Sequence, residues 1–462
     1  MSSLSPNQVS RLSEILGPEA IFTDPGDCLP YGYDNSRLQA TPQAVLFATR
    51  HEQICHILQL CHEQGIPLVT RGKGTGTTGA SVPQRGGVVL SLERMNRIIT
   101  IDADNRLAVV EPGVTNKELQ TALAAEGFFW PPDPTSAAVC TIGGNLAYNS
   151  AGPRAVKYGT PRENTLGLRA VTGTGETIRT GVKTTKGVVG YDLTRLLIGS
   201  EGTLGVITEA TLKLTPLPQS KRTLQASYRN IHTAAKAVSA IMRQPVTPCA
   251  LEFMDGAALN MVRNFSDLHL SQEVGALLMI EVDGSEHGIE LEAAAVAEAA
   301  RVEGLLEIHT ASDAEEVARL WKTRKALSPA LRNIAPKKIN EDVVVPVSRI
   351  PELIDGLERL AAKHAITIVN FGHAGNGNIH VNLLLDPDDP GQLAAGEACL
   401  AEVFELVLGL DGTLSGEHGI GVVKRTFVPQ EIDPVSLRLM QEVKAQFDPR
   451  NILNPGIVFP DK

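Results

Sequence analysis

The distribution of glycine constrains the fold of this chain more than any other feature of its sequence. Glycine is dense through residues 71–205, and the amino-acid composition changes after the two prolines of residues 215–218. Beyond them, helical runs rich in alanine and glutamate, such as 288–302, alternate with strand-like runs, such as 276–282. Since single cores stop growing near ~250–300 residues, we expect the 462 residues to form two or three domains, with a linker at these prolines.

A glycine-rich loop lies between two predicted strands and reads Arg71-Gly72-Lys73-Gly74-Thr75-Gly76-Thr77-Thr78-Gly79-Ala80. A strand at 66–70 precedes it, and a turn and strand at 86–92 follow it. Closely spaced glycines let successive backbone N–H groups face one anion, so the loop could cradle a pyrophosphate. The loop lacks the ending of a P-loop, and no helix follows it as a Rossmann fingerprint requires. Taken alone, it is equally typical of an ordinary turn.

Residues 370–385 predict a β-hairpin that carries two histidines. Gly375-Asn376-Gly377 is a strong turn signal between two strand-like runs. Such a hairpin brings His373 and His380 close together near its tip, and the alternation of a strand places His380 and Asn382 on one face. Converging imidazoles suit a borderline divalent metal such as zinc. Two hydrogen-bonded core histidines are the alternative reading.

A Glu-His pair among glycines supplies the remaining chemistry. Glu417 and His418 follow Gly416 and precede Gly419, so the backbone can approach a ligand closely. Two histidines and one carboxylate leave coordination positions open, as catalytic metal sites require. We therefore interpret Glu417 as the third metal ligand and His418 as a general base.

Charge and cysteine usage narrow the class of protein. The formal net charge of −10 argues against nucleic acid as the main partner. No apolar run is long enough to span a membrane, and the first residues lack the pattern of a secretory signal. The six scattered cysteines indicate a reducing compartment. We expect a cytoplasmic protein, either free or peripheral at the membrane, and a homodimer is compatible with the sequence.

Two further segments, together with the loop at 71–80, carry a family resemblance. The first comprises Pro131–Thr135, Thr141–Ala147, Asn149–Gly152 and Tyr158-Gly159, and the second is Gly199–Thr208. In this order and spacing, residues 38–217 resemble the FAD domain of the vanillyl-alcohol-oxidase and p-cresol-methylhydroxylase superfamily. The resemblance implies that FAD contacts Arg71, Gly72, Gly74, Thr75, Gly76, Thr77, Gly79, Ala80, Pro132, Asp133, Thr141, Gly144, Asn149, Ser150, Gly152, Tyr158, Glu201, Gly205, Ile207 and Asn454.

Residues 218–458 resemble the C-terminal domain of FAD-linked D-lactate dehydrogenases, D-2-hydroxyglutarate dehydrogenases and the D subunit of glycolate oxidase. In that family the matching His373, His380 and Glu417 bind a divalent metal, Zn²⁺ or Mn²⁺, and His418 is the general base. The resemblance also implies that the substrate is bound by Arg324, Ser328, Lys338 and Asn382.

The expected fold is α+β. A two-subdomain FAD-binding domain of the p-cresol-methylhydroxylase type is joined to a substrate, or cap, domain whose antiparallel sheet is covered by helices. An N-terminal helical segment (1–37) packs on the FAD-binding domain (38–217). The cap domain (218–410) carries the metal-binding hairpin, and the C-terminal segment (411–462) completes the active site and the FAD domain.

The expected function is oxidation of a small D-2-hydroxy acid, with D-lactate favoured, by an FAD- and metal-dependent dehydrogenase whose electrons pass to a non-NAD acceptor. A cytochrome, a quinone and an electron-transfer flavoprotein are all compatible with the sequence. Alternatives are a D-2-hydroxyglutarate dehydrogenase, a flavin-binding electron-relay subunit of a glycolate-oxidase-like complex, and a metal-free flavin oxidase of an alcohol or phenol.

The first prediction concerns flavin attachment. No histidine lies between residues 63 and 231, and Cys140 is the single cysteine there, so a covalent linkage to this region has almost no candidate residue. Acid precipitation of the purified yellow protein should therefore release FAD into the supernatant, as measured by its absorbance. Flavin that stays with the pellet would contradict the expectation.

Overall fold

The computed structural model describes residues 3–263, 271–331, 335 and 337–461, without the side chains of residues 262–263, 323, 325–326 and 328–330. Its strands are β1 (Ile21–Phe22), β2 (Ala44–Phe47), β3 (Leu68–Arg71), β4 (Val88–Ser91), β5 (Ile98–Asp102), β6 (Leu107–Val110), β7 (Phe128–Phe129), β8 (Thr165–Val171), β9 (Thr177–Gly181), β10 (Val206–Lys213), β11 (Thr215–Pro216), β12 (Ser220–Tyr228), β13 (Ala250–Asp255), β14 (Ala276–Gly284), β15 (Leu305–Thr310), β16 (Lys337–Val344), β17 (Thr367–His373) and β18 (Asn378–Leu385).

The helices are α1 (Pro6–Leu16), α2 (Pro25–Cys28), α3 (His51–Gln64), α4 (Asn116–Ala125), α5 (Ile142–Tyr148), α6 (Ala155–Tyr158), α7 (Leu193–Leu197), α8 (Ile231–Arg243), α9 (Gly256–Arg263), α10 (Ile289–Ala299), α11 (Ala314–Ala330), α12 (Ile350–His364), α13 (Pro390–Gly409), α14 (Val428–Glu431) and α15 (Pro434–Phe447). Short 3₁₀ turns lie at Pro18–Ala20, Leu29–Tyr31, Val347–Arg349 and Ala374–Asn376.

Local sequence signals set several helix ends. Ser5 and Gln8 form a capping box at the start of α1, where Pro6 occupies the first turn. Gly65 ends α3 in the left-handed conformation, at φ 65°. Asp433 caps α15 by accepting hydrogen bonds from two backbone N–H groups of its first turn. These ends depend on short-range chemistry, which explains why the sequence predicts them.

The chain forms two compact units. The first comprises residues 1–151, 159–217 and 417–462, and the second comprises residues 152–158 and 218–416. The sequence assigned residues 152–158 to the FAD-binding domain and 411–416 to the C-terminal segment, whereas contacts place both stretches in the second unit.

The first unit contains two larger sheets and a two-stranded pairing of β7 with β11. One is four-stranded in the order β1-β2-β4-β3, with parallel pairing among β2, β4 and β3. The other is five-stranded and antiparallel in the order β5-β6-β10-β8-β9. Each larger sheet has its own hydrophobic core, one against α1 and α3 and one against α4 and α5. This arrangement matches the two subdomains expected from the sequence.

The C-terminal segment of the first unit is fastened by a buried carboxylate. Asp448 accepts hydrogen bonds from the backbone N–H groups of Ile452 (3.0 Å) and Leu453 (2.7 Å). It also binds the ammonium group of Lys444, which donates to the Leu453 carbonyl as well. The Leu68 N–H then donates to the Ile452 carbonyl at 2.8 Å, so the segment is held beside β3, the strand that leads into the glycine-rich loop.

A seven-stranded antiparallel sheet forms the second unit, in the order β15-β12-β14-β13-β17-β18-β16. A layer of α8, α10, α12 and α13 packs on one face, and α9 and α11 pack on the other. Strand register places Glu252, His373, His380 and Asn382 on this second face, because cross-strand partners share a side of the sheet. The expectation of an antiparallel sheet covered by helices is confirmed.

Two ion pairs in or directly after α15 join residues four positions apart. The Lys444–Asp448 pair is buried, whereas the Arg438–Glu442 pair is exposed. Replacing Asp448 with Ala leaves a buried ammonium without its anion and two backbone N–H groups without acceptors. We therefore expect a loss of about 3–5 kcal/mol in the free energy of unfolding. Urea unfolding followed by circular dichroism measures it.

Glu442→Ala is the control, and its expected effect is within about 1 kcal/mol because exposed pairs are weak. Equal stability losses for Asp448→Ala and Glu442→Ala would show that the buried Lys444–Asp448 pair contributes no more to stability than the exposed pair.

Candidate active site

The histidine hairpin is present in the second unit. β17 and β18 pair so that Phe371 lies opposite His380, while His373 lies opposite Asn378 next to the turn. The rings of His373 and His380 are 5.2 Å apart between centroids and nearly perpendicular, and ligand nitrogens of the two residues lie within 4.8 Å of each other. Both side chains are buried. Two imidazoles at this spacing can bind one ion.

The turn of this hairpin requires glycine. Gly377 has φ +74°, and a Cβ at this position would lie 1.8 Å from the Val345 carbonyl oxygen. A side chain at residue 377 would therefore push the turn away from the backbone at Val345 and disturb the spacing of the two histidines.

A carboxylate that the sequence did not reveal lies behind the hairpin. Glu252, on β13, faces His373 directly across the strands. Its Oε1 accepts a hydrogen bond from His373 Nδ1 at 2.6 Å, and its Oε2 accepts one from Arg324 Nε at 2.6 Å. The only local signal is a glutamate between Leu251 and Phe253 in an otherwise apolar run. The partners lie 121 and 72 residues away, beyond the reach of any periodicity.

The charge state of this group follows from its neighbours. Burial acts to raise the pKa of Glu252, but the imidazole of His373 and the guanidinium of Arg324 outweigh that effect and hold the pKa below its usual value. Glu252 is therefore a carboxylate, which can only accept hydrogen bonds. In the contact with Glu252, His373 therefore donates from Nδ1, and the nitrogen left for a ligand is Nε2.

Arg324 lies on α11 and reaches the same face of the sheet. Its guanidinium carbon is 4.9 Å from the centroid of the Phe371 ring, and its side chain is buried. A salt bridge to Glu252 and a stacked ring hold the guanidinium in one orientation. The side chain of Ser328, another predicted substrate residue, lies outside the described residues.

The other two predicted substrate residues lie on the neighbouring strands. Lys338 is half-buried on β16. It lies two positions before Asn340, which pairs with Asn382 of β18. Asn382 is fully buried. Its amide group donates to the Val369 and His380 carbonyls, and its oxygen accepts from Asn340 at 2.6 Å. The side-chain amide of Asn382 is thus hydrogen-bonded to other groups of the protein.

Asp342 holds the last residues of the second unit, Ser415 and Gly416. It lies opposite His380 in the β16–β18 pairing. Its carboxylate accepts hydrogen bonds from the Gly416 N–H at 2.9 Å and from the Ser415 hydroxyl at 3.0 Å. These residues are therefore anchored to β16 within the second unit.

Within the first unit, the segment 417–422 touches all three of the predicted flavin motifs. The Ala151 N–H donates to Glu417 Oε2 at 3.3 Å. The Thr78 hydroxyl donates to the His418 carbonyl at 3.3 Å. Glu201 accepts from the N–H groups of Ile420 (2.7 Å) and Gly421 (2.9 Å). The resemblance implies that Glu201 lies by the flavin, and in this structure its carboxylate holds the loop that carries His418.

The glycine-rich loop has the hydrogen-bonding pattern of an anion cradle. The carbonyls of Thr75, Gly76 and Thr78 accept hydrogen bonds from the protein. Among the described residues, however, the backbone N–H groups from Gly72 to Gly79 donate none. Backbone N–H groups need acceptors when a ligand shields them from water, and a pyrophosphate supplies such acceptors.

Arg71 acts as a scaffold for this loop. Its guanidinium is buried and donates to the carbonyls of Tyr33 (2.8 Å) and Pro30 (3.3 Å). Close packing explains two glycines: a Cβ on Gly74 would collide with the Arg71 guanidinium, and one on Gly76 would lie 2.5 Å from the Tyr148 hydroxyl.

Several other predicted flavin residues make structural contacts. Thr141 caps α5 by accepting from the Gly144 N–H. Asn149 Oδ1 accepts from the Thr160 hydroxyl and the Arg162 N–H. Asn454 donates to the carbonyls of Ala80 and Glu201 and accepts from the Thr70 N–H. Gly205 approaches the Val171 carbonyl closely, and Ile207 belongs to the core of the five-stranded sheet. Within the second unit, Tyr158 donates to Asp283 at 2.7 Å.

The sequence matches two known domain families. Residues 42–181 match the family of FAD binding domains, and residues 217–458 match the family of C-terminal domains of FAD linked oxidases. The chain belongs to the FAD-linked oxidases.

Similar curated proteins match along nearly their full length. The glycolate oxidase subunit GlcD of Bacillus subtilis (strain 168) is 39% identical over 97% of this chain and 96% of the relative. The D-lactate dehydrogenase of Archaeoglobus fulgidus is 36% identical over 98% of each chain. The probable mitochondrial D-lactate dehydrogenase of Danio rerio is 34% identical over 97% of this chain and 91% of the relative.

Solved structures agree on the fold. p-Cresol methylhydroxylase with substrate bound matches 98% of this chain and 96% of its own, with a TM-score of 0.80 and 19% identity. 4-Ethylphenol oxidase from Gulosibacter chungangensis matches 98% of this chain and 97% of its own, with a TM-score of 0.79 and 19% identity. The predicted family and fold class are therefore confirmed. The chain is an FAD-linked oxidoreductase of the group that contains D-lactate dehydrogenases and GlcD.

In the part of the chain that the structure describes, no helix combines the length and the apolar character needed to span a bilayer.

The prediction from this site concerns Glu201. In Glu201→Gln one acceptor oxygen becomes an NH₂ group, so either the Ile420 or the Gly421 N–H is left without an acceptor. An unsatisfied buried donor costs about 1–3 kcal/mol. Hydrogen exchange followed by mass spectrometry should therefore become faster in peptides covering residues 417–422.

Glu209→Gln is the control, since Glu209 is only half-buried on β10. If the Glu201→Gln peptide exchanged at the rate of the wild-type protein while the control behaved normally, the pinning role of Glu201 would be wrong.

Proposed function

We propose that this chain oxidises a short D-2-hydroxy acid, D-lactate or a close analogue, to the 2-oxo acid. Its relatives support the substrate class, because glycolate and D-lactate, the substrates named in those proteins, are both 2-hydroxy acids. The observation that carries the proposal is the buried group in which two imidazoles lie beside an oriented arginine. Such a group can recognise a hydroxyl and a carboxylate on adjacent carbons.

FAD would be held non-covalently by the first unit. The row of backbone N–H groups from Gly72 to Gly79 fits a pyrophosphate, as described above. Cys140, the one cysteine between residues 63 and 231, is buried and accepts a hydrogen bond from Asn145 Nδ2 at 3.3 Å, which favours a packing role over attachment. When bound, the flavin supplies the acceptor for the hydride from C2 of the substrate.

A divalent metal, Zn²⁺ or Mn²⁺, would be held by His373, His380 and Glu417. Two neutral imidazoles and one carboxylate form a donor set that borderline divalent ions favour. The hydrogen bond from His373 to Glu252 is the outer contact that metal-bound histidines usually make. When bound, the ion supplies a Lewis acid that lowers the pKa of a coordinated hydroxyl.

The remaining steps belong to side chains of this protein. Arg324 would bind the substrate carboxylate through its terminal amino groups, since its Nε is committed to Glu252. Lys338 is a further candidate for this carboxylate. His418 would remove the hydroxyl proton. Thr78 would keep the His418 backbone in place by holding its carbonyl, and Glu201 would do so by accepting from the N–H groups of Ile420 and Gly421.

A second function has a specific observation in its favour. The relatives from Bacillus subtilis and Escherichia coli are named as subunits of glycolate oxidase. The chain could therefore work within a complex whose other members accept the electrons. D-2-Hydroxyglutarate oxidation is the further alternative among substrates, and the acceptor could be a cytochrome, a quinone or an electron-transfer flavoprotein.

The experiment assays the purified flavoprotein with D- and L-lactate, glycolate and D-2-hydroxyglutarate, using an artificial dye as acceptor. We expect turnover with D-lactate, loss of turnover after chelation with FAD retained, and recovery on addition of Zn²⁺ or Mn²⁺. Full activity in protein verified as metal-free would refute the metal mechanism. Activity with none of the acids in the isolated chain would favour the relay subunit.

Two neighbouring variants separate the assigned roles. His418→Ala should keep FAD and metal but lose about 10²–10⁴-fold in kcat, the usual contribution of a general base. Glu417→Ala should lose metal together with activity. Metal analysis and single-turnover flavin reduction make the comparison, and wild-type reduction by metal-loaded His418→Ala would exclude His418 as the base.

A further inference from the structure

We propose that Glu252 is a positioning residue that couples the metal-binding hairpin to the arginine that binds the substrate carboxylate. This inference rests on the proposed function, which assigns His373 to the metal and Arg324 to the substrate. Nothing in the local sequence marks Glu252 for such a role. Its position in the sheet does, because β13 pairs with β17 and brings Glu252 opposite His373.

The geometry is that of a bridge. One carboxylate oxygen accepts from His373 Nδ1 and the other from Arg324 Nε, both at 2.6 Å. The side chains of Glu252, His373 and Arg324 are exposed by 1%, 8% and 9%, respectively. Because water scarcely reaches these groups, neither partner can exchange its contact with Glu252 for a contact with solvent, and the two partners keep a fixed separation.

The bridge decides which nitrogen of His373 faces the metal. A carboxylate accepts but does not donate, so it holds the proton on Nδ1 and leaves the lone pair on Nε2. A glutamine at this position could donate its NH₂ group to Nδ1. The imidazole would then carry its proton on Nε2, where it could not bind a metal ion.

The same bridge orients Arg324 for its ligand. The Nε contact with Glu252 and the stack on Phe371 at 4.9 Å fix the plane of the guanidinium. The terminal amino groups, which bind carboxylates in a bidentate manner, then point in one direction. Glu252 would thereby set the distance between the site for the substrate hydroxyl and the site for its carboxylate, which selects acids with the hydroxyl at C2.

The chain offers a matched control for a merely structural role. Glu281 lies on the adjacent strand β14, on the same face of the sheet, and is also buried. Its Oε1 accepts from Trp321 Nε1 at 2.8 Å, so it too holds a residue of α11. It differs from Glu252 in making no contact with either histidine of the hairpin within the described residues.

The experiment measures metal affinity and kinetics of Glu252→Gln, with Glu281→Gln as the control. Metal-stripped holo-flavoprotein is titrated with Zn²⁺ and Mn²⁺ against a chromophoric chelator. We expect affinity about 10–100-fold weaker in Glu252→Gln, as is usual for outer partners of metal-bound histidines, and a KM for D-lactate raised at least tenfold. Glu281→Gln should retain the wild-type affinity and KM.

Glu252→Asp keeps the charge but shortens the side chain by one methylene, and it serves if Glu252→Gln does not fold. Its carboxylate can reach one partner but not both, so we expect metal affinity or KM to change at least tenfold. Wild-type values for both quantities in either folded variant would overturn the inference. An equal loss in Glu281→Gln would also overturn it, because the effect would then come from displacement of α11.

His373→Ala distinguishes failure of the inference from failure of the proposed function. If the wild-type protein binds no metal, or if His373→Ala binds it equally well, the proposed metal site itself is wrong. If His373→Ala loses the metal while Glu252→Gln keeps it with an unchanged KM, the metal site stands and only the positioning role of Glu252 is wrong.

Discussion

Glu252 lies in the interior of the second unit, where an isolated carboxylate would be strongly disfavoured because burial removes its hydration. Its charge persists because His373 and Arg324 each donate a short hydrogen bond to it. The dependence is mutual, since a buried guanidinium also needs an anionic partner. The sheet register, the approach of α11 and the orientation of the hairpin must all be correct for this group of buried polar side chains to form.

In the first unit, the segment 417–422 carries His418. Two of its residues, Gly419 and Gly421, adopt positive φ. Its position is fixed through backbone groups, by Thr78 and by the carboxylate of Glu201. Hydrogen bonds to backbone atoms do not depend on which side chain the loop carries. His418 can therefore be given a catalytic task without also having to anchor the loop.

These two arrangements share a physical principle. In each, a buried carboxylate uses both of its oxygens to join segments that are far apart in the chain. Glu252 joins β17 to α11, and Glu201 joins the turn before β10 to the segment after His418. Removing such a group leaves buried donors without acceptors, which costs more than the bond itself is worth. Rigid support of this kind keeps reacting groups within the narrow tolerances that catalysis requires.

Short-range chemistry explains the features that can be read from the residues alone. The strand–loop–strand arrangement around Gly72 to Gly79, the hairpin turn at Gly377 and the helix ends at Ser5 and Gly65 all follow from the conformational freedom of glycine and from capping, which act over a few residues. Motif order and spacing were enough to identify the family and fold class. The partners of Glu252, Glu201 and Asp342, in contrast, are set by the folded arrangement of the strands. Their contacts join strands and loops that lie tens to hundreds of residues apart, and no periodicity in the sequence records which strands will become neighbours.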